Sequence, residues 1–526
     1  MADKTIAFSE EMVGSGHPSK TDTLNRHALV EHNNDGTHKD VTADSLKVKN
    51  SPWVDPTHPD FGAVGDGASE TADTDGIDAA IAYLETLGGG TLRLPLGHFK
   101  YAGNIATTSR IRVIGTNAGK MSRTYTSDAT NVTRLDMTGT GVGIRFYAAS
   151  NDADVRGVGV GVSDMLIHAG ANITRAIDIE HIDSMILLER LYMAVHASAV
   201  NCYGIHMEDS WFGRLTDIML FHLDNAYAST VPGLKITNTS PGGDAVNQLI
   251  LSNVHSRFFD MGVKIDGAAN LNSIVILGGA AEYNGTYGLY AGAGVQALSA
   301  KGFHIENAQD TGLYVHADAR NVSYTDAKLI HNANYDIYAD GQNFKLENLY
   351  HGGVTTTAIH CGANAKYGSI DHMTALHETG ASASPAISSD ASTSAEITLG
   401  HNLKFTESGY GTFTTPIGNP GKWRRPRRGS IVTHTTTGVD KILDALQADS
   451  FELSHASATN VKTLTNGYWG QIIVMSFTNA NTTITHSSVS DGIKLAGGVD
   501  FSPNDADTLT IFYNGTNWLE IARAVI

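Results

Sequence analysis

The sequence predicts an all-β protein whose central part is a β-solenoid, a stack of coils built from short strands. Three observations predict this fold class. A Gly-apolar-x-apolar unit recurs between about residues 155 and 400, its copies begin 22 to 29 residues apart, and only one early segment has clear helical spacing. A helix cannot explain a repeat of this length made of period-two segments, whereas one coil of a solenoid can.

The composition excludes several classes of protein. The chain has 526 residues with 55 glycines, 12 prolines and 41% hydrophobic residues, which fits neither a collagen-like nor a disordered protein. Its formal net charge of −18 argues against a nucleic-acid partner, because phosphate binding needs a concentrated basic surface. Cys202 and Cys361 do not have metal-ligand spacing, so we expect two buried thiols.

The N-terminal region is expected to be an arm rather than part of the core. Residues 1–52 are polar and lack a periodic apolar pattern, and the histidines there show no zinc-ligand spacing. No run reaches the roughly 18 apolar residues of a membrane span, and the start of the chain does not have the pattern of a secretion signal. We therefore expect synthesis in a cytoplasm, no membrane insertion, no metal and no cofactor.

The solenoid is expected to begin with a cap. The glycine-rich stretch at 61–67 precedes a segment at about 74–87 whose apolar residues keep helical spacing, with Thr74 or Asp75 as the predicted N-cap. Strand-like alternation follows at 91–95 and again through Phe99 to Tyr101. A helix in this position would cover the first coil and block its exposed edge.

The repeat itself predicts which side chains face the core. The second and fourth residues of each unit are apolar and should point into the coil, while the third should point outward. Coils stacked about 4.8 Å apart can then form backbone hydrogen bonds with their neighbours. The eight units begin at the following positions: Ala176, Gly204, Gly233, Gly262, Gly288, Gly312, Asp336 and Ala358.

The repeat stops after about residue 400, which divides the chain into three parts. Residues 53–420 are predicted to form the solenoid trunk, and residues 421–526 a compact antiparallel β-domain, because apolar segments there are separated by turn sequences such as Asn514-Gly515.

The stretch at 61–67, the following helix and the segment at 88–95 together resemble the opening of the pectate-lyase-like right-handed parallel β-helix superfamily. Within that group the chain is similar to bacteriophage tailspike depolymerases. The resemblance implies a homotrimer attached to the phage tail or baseplate by the N-terminal arm, with the C-terminal β-domain (421–526) serving trimerisation or carbohydrate binding. It also implies a virion protein that acts at the bacterial surface on capsular polysaccharide or lipopolysaccharide O-antigen. It transfers no catalytic residue, because fold does not determine chemistry.

Paired carboxylates are the residues expected to cut a glycan, since glycoside hydrolysis needs one acid and one ionised carboxylate. Glu282 and Glu306 are 24 residues apart, the same interval as between the units at Gly288 and Gly312. They should therefore lie one above the other on neighbouring coils, with His304 facing the same way to orient substrate. An alternative is that both glutamates only make hydrogen bonds at coil corners.

A second carboxylate stack is predicted at Glu180 and Glu208, each four residues after its unit start and followed in the later unit by Asp209. Trp211 could form a platform for a sugar ring, or it could pack beneath a loop. This pair ranks just behind the first as a catalytic candidate.

Tyrosines occupy the outward third position of three successive units, at Tyr290, Tyr314 and Tyr338. Such a ladder can bind a glycan, can stabilise neighbouring coils by packing, or can form a subunit interface.

The leading prediction is a phage tailspike endoglycosidase that hydrolyses bacterial surface polysaccharide. One alternative is a polysaccharide lyase, in which a base removes a proton beside a uronate carboxyl that is neutralised by a cation. Arg257, Lys328 and His304 are available for that chemistry. The other alternative is a non-catalytic receptor-binding or structural virion protein.

Overall fold

The computed structural model describes residues 53–526 apart from internal gaps, and the predicted N-terminal arm lies outside the described residues. The gaps are 120–130, 149–156, 225–228, 240–245, 269, 355–356, 378–380, 383, 391–396, 401–402, 405–411, 414–422, 425–430, 436, 439–440, 446–448, 466 and 468–469.

The capping helix, α1, runs from Glu70 to Thr86 and begins earlier than predicted. Ser69 is its N-cap, so the expectation that Thr74 or Asp75 caps the helix is wrong. The reason is a tertiary contact: the buried carboxylate of Asp73 accepts hydrogen bonds from three backbone amides that precede and follow the helix in the chain. The amides belong to Val64, Gly65 and Lys100.

Glycine at position 76 lets the helix lie directly on the segment that precedes it. A Cβ atom at Gly76 would come within 2.4 Å of the backbone nitrogen of Ala63. Ile77 and Leu84 on the same helix are fully buried at the end of the trunk core. The helix therefore covers the first coil, as the sequence predicted.

The trunk is a parallel β-solenoid with two long sheets, in agreement with the predicted fold class and with the resemblance to the pectate-lyase-like group. Sheet A contains the repeat units. Its strands are Ile105–Thr107, Gly141–Tyr147, Ile173–Glu180, Tyr203–Glu208, Leu234–Asn238, Met261–Gly267, Tyr287–Ala291, Thr311–Val315, Tyr335–Ala339, Thr357–Cys361 and Ile387–Ser389.

Sheet B is also parallel and covers the remainder of each coil. Its last described strand lies just past residue 420, the predicted end of the trunk. The strands are Trp53–Val54, Gly89–Arg93, Gly97–Tyr101, Arg110–Ile114, Thr133–Met137, Gly161–Ala169, Ile186–Val195, Gly213–His222, Val246–Arg257, Leu271–Glu282, Leu298–Lys301, His304–Glu306, Val322–Ile330, Lys345–Val354, Ser369–His377, Ile397–Leu399, Leu403–Lys404 and Trp423–Arg424.

A column of residues in the left-handed backbone conformation divides sheet B into two sides. On nine successive coils, the residue at one register position has a φ between 47° and 69°. A single residue in this conformation turns the chain sharply. We call the part before this corner side B1 and the part after it side B2. The corner residues are Asp164, Arg190, Asp217, Asn253, Gly278, Gly302, Asp326, Asn348 and His372.

The side chains that the repeat predicted to face inward do so. The second and fourth residues of the units, from Ile177 and Ile179 through Ile359 and Cys361, are fully buried in one continuous core. Both cysteines are free and buried, as expected, and burial raises the pKa of the Cys202 thiol to about 12.

Two small two-stranded sheets accompany the trunk, formed by Gly157–Val158 with Ile182–Ser184 and by Ala381–Ser382 with Thr412–Phe413. Within the described ranges, no helix combines the length and the apolar character needed to cross a bilayer.

The C-terminal domain has its own buried core, which includes Phe451, Phe477 and Trp518. The predicted antiparallel pairing is present between Ile472–Phe477, Thr508–Tyr513 and Trp518–Ala524. The other strands pair in parallel, so the domain is of mixed type. They are Ile431–His434, Ser450–Leu453, Ile493–Lys494, Lys441–Asp444, Thr459–Thr465 and Thr482–Ile484, with a 3-10 turn at Ala496–Gly498.

Candidate functional site

Glu282 and Glu306 lie side by side at the end of side B2. They are direct register partners on neighbouring parallel strands, as the 24-residue interval predicted. A carboxylate oxygen from each and a ring nitrogen of His304 all lie within 4.8 Å of one another. Both glutamate side chains are partly exposed, so this cluster is open to a ligand.

Each of these glutamates has a different partner. The Nε atom of Arg257, one coil earlier, lies 2.9 Å from an oxygen of Glu282. Nε2 of His304 lies 3.2 Å from Oε2 of Glu306, and the Asn307 amide donates to Oε1 at 2.9 Å. The pair therefore combines one carboxylate beside a permanent cation with one beside an imidazole and an amide.

Aromatic rings hold the arginine in place. The Arg257 guanidinium lies 5.2 Å from the ring centres of both Phe258 and Tyr283, which stack on each other. His255, two residues earlier on the same outer face, is partly buried. Burial lowers the pKa of its imidazole despite the opposing effect of Glu282.

The residues proposed for lyase chemistry lie on this same side. Arg257 pairs with Glu282 and His304 with Glu306. The Lys328 ammonium lies 5.5 Å from the ring centre of Tyr350.

The second predicted stack is also confirmed in register, because Glu180 and Glu208 are partners on neighbouring strands of sheet A. Glu180 is held by two arginines, Arg145 and Arg175, and the second of these lies 2.7 Å from its carboxylate. Glu208 accepts a hydrogen bond from the Thr239 hydroxyl at 2.9 Å.

Asp178 and His206 form a buried pair beside this stack. Nδ1 of His206 lies 2.8 Å from Oδ1 of Asp178, and both side chains are almost completely inaccessible. Burial acts to raise the pKa of Asp178, but hydrogen bonding to His206 and the nearby charge of Arg175 lower it below its usual value. Nε2 of His206 lies 3.8 Å from Glu208, and the Tyr203 ring centre lies 5.5 Å from the imidazole.

Asp209 differs from its neighbours in conformation and ionisation. It is buried with a φ of 46°, and its carboxylate accepts from the hydroxyl of Thr239 at 2.9 Å. Burial and the adjacent Glu208 raise the pKa of Asp209, while the carboxyl of Asp178 is shifted the other way. Carboxyl groups with pKa values pushed in opposite directions are typical of acid–base sites.

Trp211 lies just beyond this turn and is partly buried. Its backbone amide donates to Ile182, and its ring meets the exposed ring of Phe212 edge to face at 6.4 Å. Both predicted alternatives, a sugar platform and packing beneath a loop, remain compatible with this placement.

The tyrosine ladder is present and is tightly stacked. Ring centres of Tyr290 and Tyr314 are 5.3 Å apart at 6°, and those of Tyr314 and Tyr338 are 5.1 Å apart at 3°. The Lys264 ammonium and the His360 ring lie against the two ends. Since neighbours occupy the ring faces, the ladder offers a glycan its ring edges and hydroxyls, which favours the packing interpretation.

Among the residues that the structure describes, three clusters place possible metal-ligand atoms within 4.8 Å of one another. The cluster of Asp178, Glu180 and His206 also contacts Arg145 and Arg175, whose positive charge already balances its carboxylates. The clusters are Asp178 with Glu180 and His206, His181 with Glu208 and Asp209, and Glu282 with His304 and Glu306.

The sequence reasoning missed the residues that surround Glu180 and Glu208. Asp178, His206 and Lys235 each occupy the third position of a repeat unit, and consecutive ones are register partners. Tracing the third position through every unit, rather than only through the tyrosines, would have found them. Arg145 precedes the recognised units, so the repeat gave no signal for it.

Comparisons with known proteins give distant similarities. No protein-family model matches the chain. A mannuronan C5-epimerase of Azotobacter vinelandii, AlgE3, is 36% identical over an 86-residue alignment that covers 14% of this chain and 5% of that protein. The chain thus spans only a small fraction of the length of this relative.

Two solved structures illustrate the structural similarities. The A-module of the A. vinelandii epimerase AlgE6 has 14% identity and a TM-score of 0.46, covering 71% of this chain and 100% of that one. ORF18 of Geobacillus virus E2 has 12% identity and a TM-score of 0.37, covering 97% of this chain and 80% of that one.

Proposed function

We propose that this protein is a phage tailspike depolymerase that hydrolyses glycosidic bonds in a bacterial capsular polysaccharide or O-antigen. The observation that carries the proposal is the register pairing of Glu282 with Glu306, which brings two partly exposed carboxylates within 4.8 Å of each other. Retaining glycosidases need two carboxyl groups about 5 to 5.5 Å apart. The spacing therefore suits a retaining hydrolase.

The two carboxylates take different roles in this proposal. Glu282 lies beside the Arg257 guanidinium, which is always charged, so it acts as the ionised nucleophile. Glu306, in contact with His304 and Asn307, delivers a proton to the leaving oxygen and then activates water. His304 and the aromatic rings beside Arg257 orient the sugar.

The products test this proposal. After incubation with a panel of purified capsular polysaccharides, a hydrolase of this type yields saturated oligosaccharides whose new reducing ends first form in the anomer of the cleaved bond. An unsaturated sugar at the non-reducing end, detected by its ultraviolet absorbance, would instead identify a lyase. Binding without any change in chain length would identify a non-catalytic receptor-binding or structural virion protein.

A second candidate function is eliminative cleavage of an acidic glycan on sheet A, and one observation favours it. Asp178 fixes the buried His206 ring through Nδ1, and the partly exposed ring of Tyr203 packs against this imidazole. Tyr203 as the base, with His206 behind it and the cations Arg175 and Lys235 nearby, suits proton removal beside a uronate carboxyl. Formation of unsaturated products, lost in Tyr203→Phe but kept in Glu282→Gln, would support this candidate.

The proposed biological setting follows from the resemblance of the trunk opening to tailspikes. We assign residues 1–52 to attachment at the phage tail or baseplate and residues 421–526 to trimerisation or carbohydrate binding. Light scattering of the full chain should give three times the 55.9 kDa monomer mass. A monomeric mass at micromolar concentration would overturn the trimer.

A further inference from the structure

Lys235 and Lys264 lie on the outer face of sheet A, between the cluster around Glu180 and Glu208 and the tyrosine ladder. The third positions of four successive units are His206, Lys235, Lys264 and Tyr290, and each is the register partner of the next. The two ammonium groups therefore belong to neighbouring strands about 4.8 Å apart. The two ammonium groups lie against different rings, that of Lys235 against Tyr203 and that of Lys264 against Tyr290.

The two lysines differ in how their charge is balanced. The ammonium of Lys264 lies 2.8 Å from Asp266 and 5.4 Å from the ring centre of Tyr290. Lys235 lies 5.9 Å from the ring centre of Tyr203. Across the ranges that the structure describes, Lys235 has no carboxylate as ion-pair partner. One partly buried positive charge on this face is thus left for a ligand.

We propose that Lys235, supported by Lys264, forms a subsite for the carboxylate of an acidic sugar in the polysaccharide. This inference rests on the proposed action on a glycan and narrows it to acidic glycans. An ammonium that lies over an aromatic ring presents both a charge and an apolar surface, which suits a charged group carried on a sugar ring. The carboxylate pairs with the Lys235 ammonium, and Lys264, which is already paired with Asp266, adds a second positive charge on the neighbouring strand.

The surroundings favour an isolated carboxylate over a dense polyanion. Glu208 and Asp266 lie in one register column with Thr237, two residues along the strands from the lysine column and on the same outer face. A chain carrying a negative group on every sugar would meet these carboxylates and be repelled. A glycan with spaced carboxylates can place one of them at the lysines and avoid the others.

Binding measurements on the full chain test the subsite. The acidic probes are oligosaccharides of hyaluronan, polygalacturonate and polymannuronate. Each is compared with a counterpart in which the carboxyl groups are reduced to alcohols. Dextran sulfate serves as a polyanion without carboxylates. We expect hyaluronan, which carries carboxylates on alternate sugars, to bind about tenfold or more tightly than its reduced counterpart, as one charge-assisted contact supplies. The two polyuronates, which carry a carboxylate on every sugar, should show a smaller preference.

Single substitutions then test whether Lys235 is responsible for the preference for acidic probes. Lys235→Gln should lose this tenfold preference, and Lys235→Arg should keep most of it. Lys301→Gln is the matched control, because Lys301 is an outward lysine on side B1 that pairs with Asp326, and it should behave as wild type. Thermal melts of all variants verify folding, and Lys235→Arg keeps the test valid if Lys235→Gln folds poorly.

Three results would overturn the inference: no preference for any acidic probe, an unchanged preference in Lys235→Gln, or binding of dextran sulfate alone. The measurement is independent of cleavage. If wild type shortens a polysaccharide but shows no acid preference, the subsite fails and the hydrolase stands. If the preference is present and Glu282→Gln cleaves normally, the hydrolase site fails and the subsite stands.

Discussion

Nδ1 of His206 lies 2.8 Å from Oδ1 of Asp178, across two neighbouring coils and almost completely shielded from water. An ionised carboxylate can only accept, so the imidazole is the donor and its tautomer is determined. Arg175 contacts the same carboxylate at 2.8 Å. This network links the coils by charge where the rest of the stack is linked by backbone hydrogen bonds and apolar contacts.

Replacing Asp178 by Asn should destabilise the trunk strongly. The change removes the buried anion that His206 contacts and leaves Arg145 and Arg175 with Glu180 alone. Removing one partner of a buried ion pair typically costs about 3 to 5 kcal/mol. Asp164→Asn is the control, because the Asp164–Arg190 pair at the corner is exposed and should contribute about 1 kcal/mol or less. Chemical unfolding measures both, and equal losses would contradict the assigned role of the buried network.

The corner column makes a prediction about backbone conformation. Gly302 has a φ of 69°, and an added Cβ would meet no atom closer than 3.9 Å. Gly302→Val should therefore lower the free energy of unfolding by about 1 to 2 kcal/mol through conformation alone. Gly302→Asn should cost less, because Asn253 and Asn348 already adopt this conformation in the same column. Equal losses in the two variants would show that space, rather than φ, limits the position.

The tyrosine ladder should stabilise the trunk. Tyr314 stacks on both Tyr290 and Tyr338, and each aromatic pair contributes about 0.5 to 1.5 kcal/mol. Tyr314→Leu should lower stability by about 1 to 3 kcal/mol with glycan binding unchanged. Loss of binding without loss of stability would instead make the ladder a glycan platform. Burial raises the pKa of Tyr338 to about 12, so the ladder should stay neutral at pH 9.

Two histidines should make the C-terminal domain sensitive to acid. Nδ1 of His434 lies 3.0 Å from Nε2 of His455, and burial lowers the pKa of both rings. Because the unfolded rings titrate near 6.5, the unfolded state binds more protons below that pH. The stability that these rings contribute is complete above about pH 6.5 and is lost as the pH falls through their folded pKa values.

Urea unfolding at pH 8 and pH 5, followed by tryptophan fluorescence, to which the buried Trp518 of this domain contributes, measures this effect. A double variant, His434→Gln with His455→Gln, should show a smaller difference between the two pH values than wild type. An unchanged difference would assign the acid sensitivity to other groups.

The stack of coils was predictable because a solenoid converts sequence intervals into spatial neighbours. The inner ladder, the Glu282–Glu306 pair and the tyrosine column all followed from interval and parity. The start of the helix was not predictable, since the hydrogen bonds of Asp73 come from segments outside it. The burial of outward-facing Asp178 was not predictable either, because it depends on long side chains from other coils, such as Arg145.

The rate at which a susceptible polysaccharide is shortened by wild type, Glu282→Gln and Glu306→Gln tests the central claim most directly. General acid–base catalysis by Glu306 contributes about 100-fold or more, and without the nucleophile Glu282 the covalent intermediate does not form. Each variant should therefore be slower by at least about 100-fold while still binding the glycan. Glu347→Gln, which changes an outward glutamate on side B1 paired with Lys345, should cleave at the wild-type rate. Wild-type rates in both Glu282→Gln and Glu306→Gln would contradict the claim.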